Sequence, residues 1–275
     1  MLSYCKQGNL QAMFDEYAHV LASDLDRGDD HVNQLHLAML DSLSFQTASY
    51  DIDTFNVFKN RVTNGGKERI RLRTHFAVSF IKGDAKESDA ERKKKVRKAF
   101  NSPFRPFVLA STSIGQEGLD FHNYCRRIVH WNLPSNPIDI EQREGRINRF
   151  ECLAIRQNVA RRYGDLIFEK DIWEEMFEEA KRVERTKGCS ELIPYWGLTK
   201  SEDMIRIERI VPMYPFSVDI ANYKRLINIL SLYRLTLGQA RQEELLESFS
   251  LNYNNLEELR DQFINLSPYY KKGCR

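Results

Sequence analysis

Gln142, Arg143, Glu144, Gly145, Arg146, Ile147, Asn148 and Arg149 place three arginines, a glutamine and a glycine within eight consecutive residues. Guanidinium groups are planar, permanently charged and rich in hydrogen-bond donors. A rigidly held pair suits phosphoryl transfer, in which charge spreads over the phosphoryl oxygens. Gln142, Arg146 and Arg149 are spaced four and three apart, which predicts one face of a helix. Gly145 in mid-helix costs about 1 kcal/mol relative to Ala, and close approach of another backbone or of a nucleotide is one reason to bear that cost. The competing reading of this arginine pair is a basic surface helix.

The elements that must hold these residues are legible upstream. Phe107-Val108-Leu109-Ala110 is a short apolar run of the kind that forms a buried strand. Ser111-Thr112-Ser113 and Gly115-Gln116-Glu117-Gly118-Leu119-Asp120-Phe121 follow as a loop. Its glycines admit close approach to a ligand, and its hydroxyls suit phosphate oxygens. Asp120 could accept from a ribose hydroxyl or hold a neighbouring arginine. Arg127–Trp131 reads as the next strand. Asn136 is a good N-cap and Pro137 a good first helical residue, with Asp139 and Glu141 near the positive end of the helix dipole.

Taken together, residues 107–149 resemble motifs V and VI of superfamily-two helicases and translocases. Ser111–Phe121 resembles motif V, and Gln142–Arg149 matches the Gln-x-x-Gly-Arg-x-x-Arg form of motif VI. Trp131-Asn132-Leu133-Pro134-Ser135-Asn136-Pro137 resembles the linking segment of the Swi/Snf-related branch and its bacterial relatives. The resemblance implies an α/β fold: a RecA-like parallel-sheet helicase C-terminal lobe over 46–152, with an N-terminal helical block (1–45) and a C-terminal helical extension (153–275). It implies that Arg146 and Arg149 are catalytic arginine fingers reaching ATP. Gln142, Gly118 and Asp120 would serve nucleotide binding and its coupling to lobe closure, and Ser111 and Thr112 would lie near the nucleic-acid backbone.

The remaining motifs bound this expectation. Gly65-Gly66-Lys67 is followed by Glu68, and Arg61 stands where a phosphate loop needs Gly, so it reads as a polar turn between strands. Asp15-Glu16-Tyr17-Ala18-His19 spells a magnesium box, but amphipathic helix surrounds it where that chemistry needs a buried strand. ATP with Mg2+ is therefore expected to be bound mainly by a first lobe that this sequence does not contain, supplied in cis or in trans, and the chain is expected to be inactive alone.

Elsewhere the pattern is scaffold. Three- and four-residue apolar spacing predicts helices across 1–45, broken near Gly28. Residues 46–58 and 70–81 read as strands. Lys86–Phe100 reads as a helix whose outer face includes Lys94 and Lys95, either a solvated face or a contact with phosphate backbone. After residue 153, stripes at Phe168, Ile172, Met176, Ala180 and Val183, and at Tyr223, Leu226, Ile227 and Leu230, predict further helices. Leu237-Gly238-Gln239 separates two more, and Leu256, Leu259 and Phe263 mark the last.

A formal charge of +2 excludes an argument for nucleic acid from charge alone. The five cysteines show no metal-ligand spacing and read as free thiols. No apolar run approaches the roughly 20 residues of a membrane span, so a cytoplasmic protein is expected. The expected partners are nucleic acid, DNA rather than RNA, and a first helicase lobe. Two alternatives compete: a non-catalytic nucleic-acid-binding or protein-interaction module, and a regulatory subunit supplying arginine fingers in trans.

Overall fold

The computed structural model describes residues 2–23, 25, 28, 30–43, 48–65, 70–74, 89–104, 106–110 and 120–232. The chain divides into two compact units, Met1–Tyr124 and Cys125–Arg275.

In the first unit, α1 (Leu2–Lys6), α2 (Asn9–Ala22) and α3 (His31–Leu43) form the expected helical block. Tyr17 is buried on α2, and its hydroxyl shares a hydrogen bond of 2.6 Å with Ser42 Oγ on α3. Burial raises the Tyr17 pKa above its ordinary value, against the lowering effect of that bond. Asp15–His19 lies inside α2, so the Asp-Glu box is helical, as its surroundings predict. Tyr17 also meets the rings of Phe104 and Tyr124 edge-on, at 5.7 and 6.0 Å.

The segment 46–58 is not one strand. β1 (Ala48–Ile52) stops early, and α4 (Phe55–Asn64) follows. Thr54 caps α4 by accepting from the Val57 amide, and Phe55, Phe58 and Val62 keep helical rather than alternating spacing. Gly65 ends α4 in the left-handed conformation (φ 69°), where its missing Cβ removes the penalty. The Gly-Gly-Lys segment therefore begins as a helix stop, not as a simple turn between strands. β2 (Ile70–Thr74) pairs antiparallel with β1, from Ala48 opposite Thr74 to Ile52 opposite Ile70. The expected continuation of this strand through 75–81 lies outside the described residues. α5 (Asp89–Phe100) carries the basic run and buries Ala99 and Phe100, the latter edge-on to Phe121 at 5.6 Å.

Phe107–Ala110 is a second correction. It forms no strand, and Phe107 and Val108 are 75% and 83% exposed. An apolar run becomes a strand only where a neighbouring edge accepts its backbone, and no described strand pairs with it.

In the second unit, β3 (Arg127–Val129) leads to α6 (Pro137–Glu144), then α7 (Leu153–Tyr163) and α8 (Ile172–Thr186). Asn136 caps α6 as predicted, its Oδ1 accepting from the Ile138 amide at 2.9 Å. The C-terminal segment is not wholly helical. β4 (Glu208–Ile210) precedes α9 (Asp219–Leu232) and pairs parallel with β3, Arg127 opposite Glu208 and Val129 opposite Ile210. Arg126 and Arg127 both ion-pair with Glu208, and their hydrogen bonds, Arg126's first, hold its carboxyl below the ordinary value. The expected helices beyond 237 lie outside the described residues.

The core of this unit lies between α7 and α8. Val159, Met176, Phe177, Ala180 and Leu198 are buried in it, each large aliphatic side chain contributing about 1.5–3 kcal/mol. Trp173 packs against this core rather than presenting a face for stacking. Two buried polar groups fix the irregular segment that follows α8. Glu184, fully buried, ion-pairs with Arg162 and Lys187 and accepts from the Thr199 amide and hydroxyl. Burial raises its carboxyl pKa, but the bonds from Thr199 and Lys187 outweigh that and hold it below the ordinary value. Asn158 donates to the carbonyls of Ala154 and Ile205 and accepts from the Ile205 amide, each at 2.8 Å.

Asn158→Leu leaves the partly buried Ile205 amide and carbonyl without their partner, and should destabilise the protein by about 1–2 kcal/mol. Urea unfolding midpoints of the two proteins measure this; equal midpoints would contradict the assigned role of Asn158.

Candidate functional site: the arginine turn after α6

α6 ends at Glu144, after Arg143 and before Arg146 and Arg149. Gly145 is its C-cap and stays right-handed, with φ −59° and ψ −12°. Its amide still bonds Glu141 O at 2.7 Å, but Arg146 and Ile147 bond back three residues, to Arg143 O and Glu144 O. The helix thus tightens and stops, as helix ends commonly do. Gln142, Arg146 and Arg149 therefore do not share one continuous helical face: Gln142 lies on α6, and both arginines lie in the turn after it. Gly145 is not a mid-helix gap for an approaching ligand either. A Cβ there would meet Glu141 O at 3.2 Å and Gln142 O at 3.6 Å, so α6's own carbonyls crowd it.

The turn is held at its middle and at both ends. Ile147 is buried, 4% exposed, between the two arginines. Upstream, Glu144 receives Arg209 of β4 through both carboxylate oxygens, Nη2 donating to Oε2 at 2.7 Å and Nε to Oε1. His130, 2% exposed, shares a 3.2 Å hydrogen bond with Glu144 Oε1, and Arg209 Nη1 donates to the Tyr223 hydroxyl at 3.3 Å. Downstream, Glu151 adopts a left-handed φ of 49°. Its amide donates to Tyr195 O at 3.0 Å, and its carbonyl accepts from Nη1 of Arg156, itself 1% exposed, at 2.7 Å. Arg143 reaches back to Asn132 O at 3.2 Å. Arg146 is left half-buried, while Gln142, Asn148 and Arg149 are exposed.

Electrostatics follows the geometry. Burial pushes the Glu144 carboxyl up, but the bonds from His130 and Arg209 and their charges prevail and hold it at about 2. The bond to Glu144 raises the Arg209 guanidinium further above its already high value. Glu144, Asn148, Ile207, Arg209 and Tyr223 line a shallow cleft of about 320 Å³ beside the turn.

In the first unit Lys94 and Lys95 are exposed on α5. Lys98 on the same helix makes an exposed 3.4 Å ion pair with Asp41 of α3. Asp120 is half-buried, and its backbone carbonyl accepts from Asn101 Nδ2 at 2.7 Å just beyond α5. Ser111, Thr112 and Gly118 lie outside the described residues. Among the described residues no group of three or more His, Cys, Asp or Glu is placed to hold a metal ion. The four described cysteines, Cys5, Cys125, Cys152 and Cys189, are free thiols. No described helix is long and apolar enough to cross a membrane.

Sequence reasoning missed Glu144, His130, Arg156, Arg209 and Tyr223. One signal was present: Ile205-Arg206-Ile207-Glu208 alternates apolar and charged residues, which is strand period inside a segment expected to be helical.

Residues 37–151 match the model of the family described as the helicase conserved C-terminal domain. No curated protein and no solved structure matches the chain. The match starts within α3 and ends at Glu151, so it includes the whole arginine turn. With its helices and the parallel pairing of β3 and β4, the chain fits an α/β lobe of this kind.

The Glu144 carboxyl lies below its ordinary 4.5 in the folded protein, at about 2. A depressed carboxyl contributes stability above the unfolded value and loses it as pH falls through the folded one. The protein should therefore exceed Glu144→Gln in stability by about 2 kcal/mol at neutral pH, after allowance for solvent screening. That difference should shrink as pH falls from 4.5 towards 2. Denaturant titrations of both proteins across this range check it, and a difference independent of pH would contradict the assigned charge.

Proposed function

We propose that this chain supplies the second lobe of an ATP-dependent helicase or translocase acting on nucleic acid, most akin to the Swi/Snf-related branch. The observation that carries the reading is the Gln142-x-x-Gly145-Arg146-x-x-Arg149 spacing within the helicase C-terminal domain match, borne on a turn fixed at both ends. In this reading Arg146 and Arg149 contact the phosphoryl group of ATP and stabilise the charge that develops there. Gln142, Gly118 and Asp120 serve the nucleotide, and Ser111, Thr112, Lys94 and Lys95 the nucleic-acid backbone, which is DNA rather than RNA. ATP and Mg2+ are held mainly by a phosphate-loop lobe in cis or in trans, because the sequence has no Gly-x-x-x-x-Gly-Lys-Ser/Thr. The arginines contribute electrostatic stabilisation when the lobes close, and nucleic acid is moved by the cycle of closure and opening.

A second reading rests on the exposed Lys94 and Lys95 of α5 together with that missing phosphate loop. The chain is then a nucleic-acid-binding module without catalysis of its own. A first-lobe protein separates the two: only the motor reading has it restore turnover that Arg149→Ala removes.

The 275-residue chain alone should show no appreciable ATP hydrolysis, with or without single-stranded DNA. DNA-stimulated turnover that Arg146→Ala abolishes would overturn the assignment of the phosphate-binding half to another lobe.

The chain should bind a DNA oligonucleotide in a salt-dependent manner. Replacing Lys94 and Lys95 together by Ala should flatten the slope of log K against log salt by roughly 1 to 2. Fluorescence anisotropy across a salt series measures this, and an unchanged slope removes both lysines from the interface.

A further inference from the structure

We infer that Arg209, on β4, is a positioning residue for the arginine pair Arg146 and Arg149. It binds Glu144 through both carboxylate oxygens, and Glu144 is the last helical residue before the turn that carries the pair. The inference rests on the reading that these arginines act on a phosphoryl group, but its geometry does not.

A two-point contact between a guanidinium and a carboxylate fixes orientation as well as distance, because both groups are planar. Glu144 O accepts from the amides of Ile147 and Asn148 at 3.0 Å each, so the residue that Arg209 grips also anchors the turn's backbone. Arg209 is itself fixed by strand pairing. β4 pairs parallel with β3, and the His130 amide donates to Ile210 O at 2.9 Å. His130 then supplies the second contact to Glu144 from the end of β3. At the far end, the Tyr195 carbonyl and Arg156 hold Glu151. Arg146 and Arg149 thus lie between two clamps, one on Glu144 and one on Glu151. Arg209, Tyr195 and Arg156 all follow the family match in sequence, which ends at residue 151. A displacement of β4 relative to α6 passes directly to the backbone that carries the arginines.

Amide hydrogen exchange on the full 275-residue chain tests this. Arg209→Ala should speed exchange at residues 145–149 by about tenfold, while α8 (172–186) stays within about twofold of the parent protein. Arg209→Lys keeps the charge and loses the fork, so its effect should fall between the two. On a Glu144→Ala background, Arg209→Ala should add little, because both changes break the same contact. Unchanged exchange at 145–149, or a rise shared equally by α8, overturns the inference. If Arg209→Ala does not fold, the same two criteria apply to Arg209→Lys. Loss of partner-dependent turnover in Arg146→Ala tests the phosphoryl reading separately, so either idea can fail while the other stands.

Discussion

The half-buried carboxylate of Glu144 sets the constraint on which the candidate site depends. Removing a carboxylate from water is costly unless charge and hydrogen bonds replace the solvent. Here both replacements come from residues distant in sequence, His130 before α6 and Arg209 well after it. The helix end is therefore defined by tertiary partners as much as by its own sequence. Gly145 alone does not explain the stop, since its backbone remains right-handed and needs no freedom that other residues lack.

This arrangement changes the standing of the C-terminal segment. Periodicity made it a helical brace appended to a lobe, but its strand β4 extends β3 in parallel register, and its arginine grips the last residue of α6. The buried groups Glu184 and Asn158 tie α7 and α8 to residues 199 and 205, and so steady the path leading to β4.

What the sequence made legible was short in range. The Asn136 cap, the start of α6, the helices of the first 45 residues and the strand at Arg127 all depend on neighbours a few positions away, and the structure places each of them. The errors share a cause. Phe107–Ala110 has strand composition, but pairing depends on an edge that no local pattern reveals. The spacing of Gln142, Arg146 and Arg149 is helical, whereas in the structure α6 stops at Glu144, which His130 and Arg209 hold from outside the helix. Residues 55–58 read as strand because aromatic and branched side chains favour either state, whereas they open α4 behind the Thr54 cap. Arg209 was invisible for the same reason: an isolated arginine in a charged segment acquires meaning only when a carboxylate 65 positions earlier is brought against it.

On the proposed reading, an arginine that acts on a phosphoryl group must be both charged and reproducibly placed, and these demands conflict on a loop. Long cationic side chains on mobile backbone lose their orientation, while burying them loses contact with a ligand. The turn after α6 answers by dividing the work. Ile147 takes the buried position, Glu144 and Glu151 take the fixed ones, and Arg149 is left at the surface. Preorganised charge of this kind does its electrostatic work without reorganising at the moment of reaction.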